Sequence, residues 1–233
     1  RMNWSWDYFF DYLTNGFMLR GAWTTVWLSV VSMLIGCTVG VIAALMKMSS
    51  NPLLRAIANF YIWLFRGTPV LIQLVIIYTG LPQIGIRLGV IESAILGLAL
   101  NEGAYFAEIV RAGIMSVDKV QDDAARALGM TWRERMAIVI LPQATRVIIP
   151  PLGNQFNGML KTTSLASVIS MEELMRNAQM LAQIEFRILE VYVVAAIWYL
   201  VLVSIWIQIQ LRIEARYERP FGAAVGDTRA VKK

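Results

Sequence analysis

Polar side chains cluster in the second half of an otherwise apolar stretch at 90–109: Asn101, Glu102, Tyr105 and Glu108. On a helix, Asn101, Tyr105 and Glu108 share one face, and Glu102 lies about a quarter turn away. An ionisable residue inside an apolar segment is costly unless it has a partner or water. The Glu102 carboxylate can meet an ammonium group, and the Asn101 amide can meet a carboxylate. This helix face therefore predicts a binding surface for a zwitterionic solute.

A purely structural role for the same acids is the alternative. Glu102 then forms an internal ion pair with Arg66 or Lys161, because a charge within an apolar segment persists when an opposite charge satisfies it. For Glu108 we favour the structural or interfacial role over contact with a solute.

A proline interrupts the preceding apolar stretch, at 56–86, shortly after the one charged residue in it. Arg66 is followed by Gly67, Thr68 and Pro69. Pro69 removes a backbone hydrogen bond and predicts a bend that exposes carbonyl groups. Because discontinuous helices often surround transport sites, Arg66 and Thr68 join the candidate substrate path. The alternative places the Arg66 head group at the cytoplasmic interface, with its stem along the helix.

Two further prolines, Pro150 and Pro151, open the fourth apolar stretch, at 147–160. They predict that this helix is broken as well, since neither can donate a backbone hydrogen bond. Polar residues adjoin the predicted break on its carboxyl-terminal side. The candidate substrate path therefore also includes Asn154, Gln155, Lys161 and Thr162.

The residues that several other chemistries require are missing from the sequence. It has no histidine and one cysteine, which excludes hydrolytic triads and zinc sites. Gly153 and Gly158 have the spacing of a phosphate loop, but Met159 and Leu160 follow where that loop needs its lysine. We therefore predict no enzymatic activity and no cofactor, and we expect any energy source in another chain.

The composition is that of a membrane protein. Hydrophobic residues make up 58% of the chain and charged residues 16%, against roughly 25% charged in a soluble domain. We predict an all-α membrane protein with a single domain over 1–233. Five stretches approach or exceed the length that a membrane-spanning helix needs. The predicted spans lie at about 22–46, 56–80, 90–110, 146–168 and 190–212.

Lysine and arginine are unevenly distributed between the connecting segments. Most of them lie in 47–55, 111–146 and 212–233, which the positive-inside rule places in the cytoplasm. We therefore predict an outer amino terminus, with an aromatic interfacial segment at 1–21, and a cytoplasmic tail at 213–233. The net charge of +5 follows from this topology, so the expected surroundings are membrane lipid rather than nucleic acid.

The loop at 111–142 carries its own folding signals. Gly129 is placed to end a helix in the left-handed conformation, which glycine adopts without strain. Thr131 and Glu134 have the spacing of a capping box that starts a second helix, and Pro142 is expected to stop that helix. Apolar residues at helical spacing predict that the first helix is amphipathic: Val117, Val120, Ala124, Ala127 and Leu128.

This loop resembles the "EAA" loop of ABC importer permeases. Asp123-Ala124-Ala125 is followed after three residues by Gly129 and, nine residues later, by Val139-Ile140-Leu141-Pro142. Asp123 replaces the usual glutamate and Val139 the usual isoleucine. Other segments resemble the polar-amino-acid branch of that family, in order and over nearly the whole chain: Arg66–Pro69, Asn101–Tyr105, Pro150–Gln155 and Lys161–Leu165.

The resemblance implies the type I ABC importer permease fold, with five transmembrane helices and 111–142 as the cytoplasmic coupling loop. It also implies a bacterial inner-membrane location, an amino-acid substrate and several partners. These are two ATPase subunits, a second permease subunit that is identical or paralogous, and an extracytoplasmic solute-binding protein. The residues that it assigns to ATPase coupling are Val120, Asp123, Ala124, Ala125, Arg126, Leu128 and Gly129.

The substrate stays open at this stage. Related permeases often carry Lys-Asp-Thr-Ser-Leu where this chain has Lys161 and Thr162, so an acidic group for a basic substrate is missing. The segment Tyr78–Pro82 is similar to cystine-type permeases, which keeps cystine, an opine or another small solute as alternatives. A membrane scaffold or an enzyme without a transport role is the alternative from another class.

Overall fold

The computed structural model describes residues 4–218 and is helical throughout, with no strand in that range. The predicted tail at 213–233 lies mostly outside it. The helices are α1 (Trp6–Thr14), α2 (Gly16–Met48), α3 (Pro52–Gly67), α4 (Val70–Val75), α5 (Val90–Met115), α6 (Lys119–Ala127), α7 (Trp132–Glu134), α8 (Leu141–Thr162), α9 (Leu174–Glu185) and α10 (Ile188–Glu218). Shorter turns extend three of them: a π turn and a 3-10 turn after α4, a π turn after α7 (Arg135–Ile140), and a 3-10 turn after α8 (Thr163–Ile169).

Three helical segments among the described residues are long and apolar enough to cross a membrane: Gly16–Met48, Trp132–Ile169 and Ile188–Tyr217. A fourth results if the bent pair Pro52–Gly67 and Val70–Ile84 counts as one span. The predicted third span corresponds to α5, which contains Glu92, Glu102 and Glu108 and is not among these segments. Five crossings therefore remain the prediction.

Helix α5 lies at the centre of the bundle and packs closely against α2. Small residues permit this approach. A methyl group added at Gly36 would lie 3.0 Å from the Ala99 carbonyl oxygen, and one at Gly40 would lie 2.8 Å from that of Gly103. The small-residue spacing in α2 thus serves packing within one chain, which brings α5 and its polar face into the interior.

The predicted bend at Pro69 is confirmed. The axes of the segments before and after it differ by 105°. The side-chain amide of Gln73 donates to the Phe65 carbonyl oxygen at 3.0 Å and to that of Thr68 at 3.1 Å. Exposed carbonyl groups within a membrane segment need such donors, so Gln73 stabilises the bend.

The predicted stop at Pro142 and the predicted break at Pro150 and Pro151 are wrong. The chain remains helical from Trp132 to Ile169. Before Pro142 the helix changes to a π turn, in which the Leu141 N–H bonds to the Met136 carbonyl oxygen. Pro142 then lies at the beginning of α8, directly after this π turn. Pro150 and Pro151 lie inside α8, where packing against α5 and α10 overrides their unfavourable propensity.

Candidate functional site

A cavity of about 280 Å³ lies where the bend meets α5 and α8. Its polar walls bring together residues from three separate parts of the sequence, while Leu98 and Met159 supply apolar surface. Six of the nine predicted substrate-path residues line it: Thr68, Asn101, Glu102, Tyr105, Gln155 and Thr162. We refer to it as the Glu102 cavity.

Glu102 is 7% exposed and accepts a hydrogen bond from the Gln155 side-chain amide at 3.0 Å. Among the ion pairs within residues 4–218, none joins Glu102 to Arg66 or Lys161. The Arg66 guanidinium instead lies 5.3 Å from the centre of the Tyr105 ring. The alternative of an internal ion pair for Glu102 is therefore wrong, and the carboxylate has only a neutral donor beside it.

Asn101 braces the bend. Its side-chain nitrogen donates to the Phe65 carbonyl oxygen at 3.0 Å and to the Gln73 side-chain oxygen at 3.1 Å. A side-chain amide has two hydrogens to donate, and both are used here. In this geometry the Asn101 amide donates to the bend, whereas the sequence suggested that it could meet a solute carboxylate.

Glu108 joins α2 to α5 through ion pairs. It pairs with Lys47 from α2 and, at 3.0 Å, with Arg111 one turn further along α5. Both partners are basic, so the carboxylate is fully compensated. The structural role favoured for Glu108 is confirmed by these contacts.

A second cavity, of about 490 Å³, adjoins the first and includes Arg66, Glu108 and Asn154 in its lining. Tyr105 and Gln155 line both cavities, so they form the boundary between them. Lys161 is exposed and is not among the lining residues of either cavity.

The loop after α5 folds as a compact turn between two helices. Asp118 caps α6 by accepting from the Val120 N–H at 2.9 Å. Gly129 has a φ of 77°, and Thr131 and Glu134 form both hydrogen bonds of a capping box. The left-handed glycine and the capping box predicted for this loop are therefore confirmed.

Helix α6 is held against the following π turn by an acidic residue that the sequence analysis did not single out. Asp122 accepts from Arg135 at 2.7 Å and pairs with Arg126 at the same distance. These contacts, above all the hydrogen bond from Arg135, lower the pKa of Asp122. The Arg126 partner is visible in the sequence as an i, i+4 pair, but the Arg135 partner is not.

Two apolar side chains of α6 and its end are largely exposed among charged neighbours. Val120 is 68% exposed and Leu128 is 81% exposed, whereas Ala125 is 4% exposed. Of the predicted coupling residues, Ala125 is therefore the one that packs inward. The remaining ones are all exposed: Val120, Asp123, Ala124, Arg126, Leu128 and Gly129.

Comparison with known proteins identifies the family. A family model described as "Binding-protein-dependent transport system inner membrane component" matches residues 36–219. The chain belongs to this permease family. Members are multi-pass inner-membrane subunits of ABC importers, with ATPase and binding-protein partners, and are not enzymes themselves.

Two curated relatives of this permease show the range of solutes in the family. An arginine transport system permease of Corynebacterium glutamicum is 42% identical over 229 residues, covering 92% of this chain and 72% of the relative. An L-cystine transport system permease of Bacillus subtilis is 40% identical over 200 residues, covering 85% of this chain and 86% of the relative.

Solved structures share the fold of the permease. One described as an amino acid ABC transporter with histidines has a TM-score of 0.86 and 38% identity, covering 92% of this chain and 100% of that chain. The MetNI methionine transporter in an inward-facing conformation has a TM-score of 0.73 at 20% identity. The predicted type I importer fold is therefore confirmed.

Proposed function

We propose that this permease belongs to an ATP-driven, binding-protein-dependent importer of polar amino acids. The observation that carries the proposal is Glu102, a buried carboxylate that lines a polar cavity and forms no ion pair within the part of the chain that the structure describes. An intramembrane charge of this kind marks a solute path by default. The α-ammonium of an amino acid supplies the missing positive charge.

The proposed path runs from the Glu102 cavity, past Tyr105, into the cavity that Arg66 lines. Thr68, Gln155 and Thr162 supply neutral polar contacts in the first cavity, and Asn154 lines the second. The Glu102 carboxylate lines the first cavity, and the Arg66 guanidinium lines the second together with Glu108, whose charge Lys47 and Arg111 balance. A zwitterion has a complementary group for each, one at either end. Asn101 lines the first cavity but donates its amide hydrogens to the bend, and Lys161 is exposed outside both cavities, so neither is assigned a solute contact.

The charge of the cavity favours neutral amino acids over basic ones. Among residues 4–218, Glu102 is the acidic residue that lines it. Thr162 stands where, by the resemblance, related permeases often carry an aspartate. Once the α-ammonium pairs with Glu102, a second cationic group finds no anionic partner there. Cystine is the second candidate, because its own second carboxylate balances its second ammonium group and a 40% identical relative is described as an L-cystine permease.

Reconstitution of the assembled importer with its binding protein tests the function. We expect ATP hydrolysis to rise with one or a few neutral polar amino acids or with cystine, and to rise less with arginine or lysine. Stimulation by a sugar or a dipeptide, with none by any amino acid, contradicts the proposal.

For the assembly we propose two ATPase subunits and two permease subunits, with the exposed face of α6 as the ATPase contact. Val120, Ala124 and Leu128 form an apolar surface on a loop that is otherwise charged. Apolar residues that are exposed together mark interaction sites. Movement of the ATPases would reach the membrane helices through the compact turn around Gly129.

The Asp122 contacts give a prediction on coupling. Asp122→Asn removes the charge that holds Arg126 and Arg135, so α6 loses its connection to the π turn that leads into α8. We expect transport per hydrolysed ATP to fall several-fold while the complex still assembles, measured in proteoliposomes.

Arg135→Gln should have a similar effect, and the double variant should lose little more than either single variant, because both remove one interaction. Additive losses, or unchanged coupling in Asp122→Asn, would argue against this role.

The proposed orientation places α6 inside and the amino terminus outside. In a Cys37→Ala background, Ala127→Cys and Gln183→Cys each place a thiol at an exposed position. We expect an impermeant thiol reagent added to intact cells to label Gln183→Cys and to reach Ala127→Cys only after permeabilisation. Labelling of Ala127→Cys in intact cells would mean that α6 lies outside, where it could not contact a cytoplasmic ATPase.

A further inference from the structure

A groove with almost entirely apolar walls lies between the membrane helices and the segment that follows the α6 turn. It has a volume of about 380 Å³. Leu45 of α2 and Phe106 of α5 form one side, and Trp132, Met136 and Leu141 form the other. None of these residues belongs to the two cavities of the proposed solute path, so the groove is a separate feature.

Of the described residues that line this groove, Arg133 is the charged one. Its neighbours Arg126 and Arg135 are both paired with Asp122. Arg133 is exposed and forms none of the ion pairs or side-chain hydrogen bonds found within residues 4–218. A cation without a counter-ion therefore lies beside an apolar groove.

The proposed orientation of the chain indicates what fills the groove. Its walls include the carboxyl-terminal half of α2 and of α5, close to the segments rich in lysine and arginine. Trp132, 58% exposed, lies beside Arg133; exposed tryptophan is common at the level of lipid headgroups. The π turn at Arg135–Ile140 places Met136 and Ala137 in the lining, and such turns frequently occur at functional sites.

We propose that this groove binds one acyl chain of an anionic phospholipid, with the lipid phosphate at the Arg133 guanidinium. The apolar lining matches a hydrocarbon chain, and the unpaired cation matches the phosphate. Basic pockets between membrane helices on the cytoplasmic side bind anionic headgroups in this way. A neutral lipid also fills the groove but adds no net charge to balance Arg133, so selectivity for the anionic lipid distinguishes the site from ordinary lipid contact.

The test uses the assembled importer in nanodiscs of equal parts phosphatidylglycerol and phosphatidylcholine. After transfer to mild detergent, native mass spectrometry counts the lipids that each complex retains. We expect the wild type to retain phosphatidylglycerol in preference to phosphatidylcholine. In Arg133→Gln the affinity for it should fall about fivefold, the loss of about 1 kcal/mol that one basic side chain contributes near an anionic surface.

Arg55→Gln is the matched control. Arg55 is likewise exposed, lies in a segment predicted to be cytoplasmic and is not among the residues that line the groove. The Arg55→Gln importer should retain wild-type amounts of phosphatidylglycerol. Ala137→Phe, at an exposed position in the lining, fills the groove while keeping Arg133, and it should lower retention of both lipids.

Three results would overturn the proposal. If Arg133→Gln retains phosphatidylglycerol at the wild-type level, the lipid phosphate does not bind at Arg133. If Arg55→Gln loses as much phosphatidylglycerol as Arg133→Gln, the retention reflects a general attraction of anionic lipid to a basic surface. Lipid bound to the isolated permease but absent from the assembled importer means that the ATPase covers the groove.

Discussion

Gly129→Val is expected to abolish transport while the permease still inserts and is produced at normal levels. Gly129 has a φ of 77°, a conformation in which a β-branched side chain is strained by roughly 1–3 kcal/mol. An atom added at its Cβ position meets nothing within 4 Å. The effect therefore comes from the backbone alone. The turn must rearrange, and α6 then loses its position relative to α8.

Two controls separate backbone strain from side-chain size. Asparagine tolerates the left-handed conformation far better than valine, so Gly129→Asn should keep most of the transport activity. Gly16→Val adds the same side chain at another open position, where φ is not positive, and should be neutral. Uptake in proteoliposomes and ATPase co-purification are the measurements. Normal assembly and uptake in Gly129→Val would contradict a coupling role for this turn.

Local backbone chemistry explains the features that the sequence predicted correctly. At Pro69 the missing N–H predicts the interruption of the helix that the structure shows. Thr131 and Glu134 form a capping box, and Gly129 is left-handed, because these depend on a few adjacent residues. Signals of this kind can be found by inspection of short segments.

Contacts between distant segments explain the features that the sequence could not supply. Gln155 is the partner of Glu102 although the two are 53 residues apart, and no short-range pattern links them. Gln73 stabilises the bend but resembles any glutamine in an apolar helix. Tertiary packing also keeps the chain helical at Pro150 and Pro151, although helix propensity alone favours a break there.

The amphipathic pattern of α6 illustrates a related difficulty. The spacing of its apolar residues predicted an amphipathic helix, yet Val120 and Leu128 face outward and Ala125 packs inward. Periodicity defines an apolar face, but it does not say whether that face meets the same chain or a partner. An apolar face that remains exposed is a reason to expect a partner.

Glu102→Gln is expected to leave the amount of assembled complex unchanged and to raise the half-saturating solute concentration of transport by about 10- to 100-fold. Glutamine keeps the side-chain shape, and its oxygen can still accept the hydrogen bond from Gln155, so the fold loses little. The solute ammonium loses a charge-assisted contact. Such a hydrogen bond contributes about 1.5–3 kcal/mol, which corresponds to this change in concentration.

Glu108→Gln is the matched control, because Glu108 is an acid on the same helix whose charge is already balanced. Its loss leaves Lys47 and Arg111 without their counter-ion, so we expect less assembled complex. Because the charge of Glu108 is already balanced, the fraction that assembles should show a smaller change in half-saturating concentration than Glu102→Gln. Glu102→Gln should therefore change mainly the half-saturating concentration, and Glu108→Gln mainly the amount of assembled complex. Quantified purification measures the amount of complex, and uptake at varied solute concentration measures the kinetics. A Glu102→Gln complex with wild-type yield and wild-type kinetics would remove Glu102 from the path. A reduced yield would restore a structural role to it, although the absence of a cation beside its carboxylate argues against that outcome.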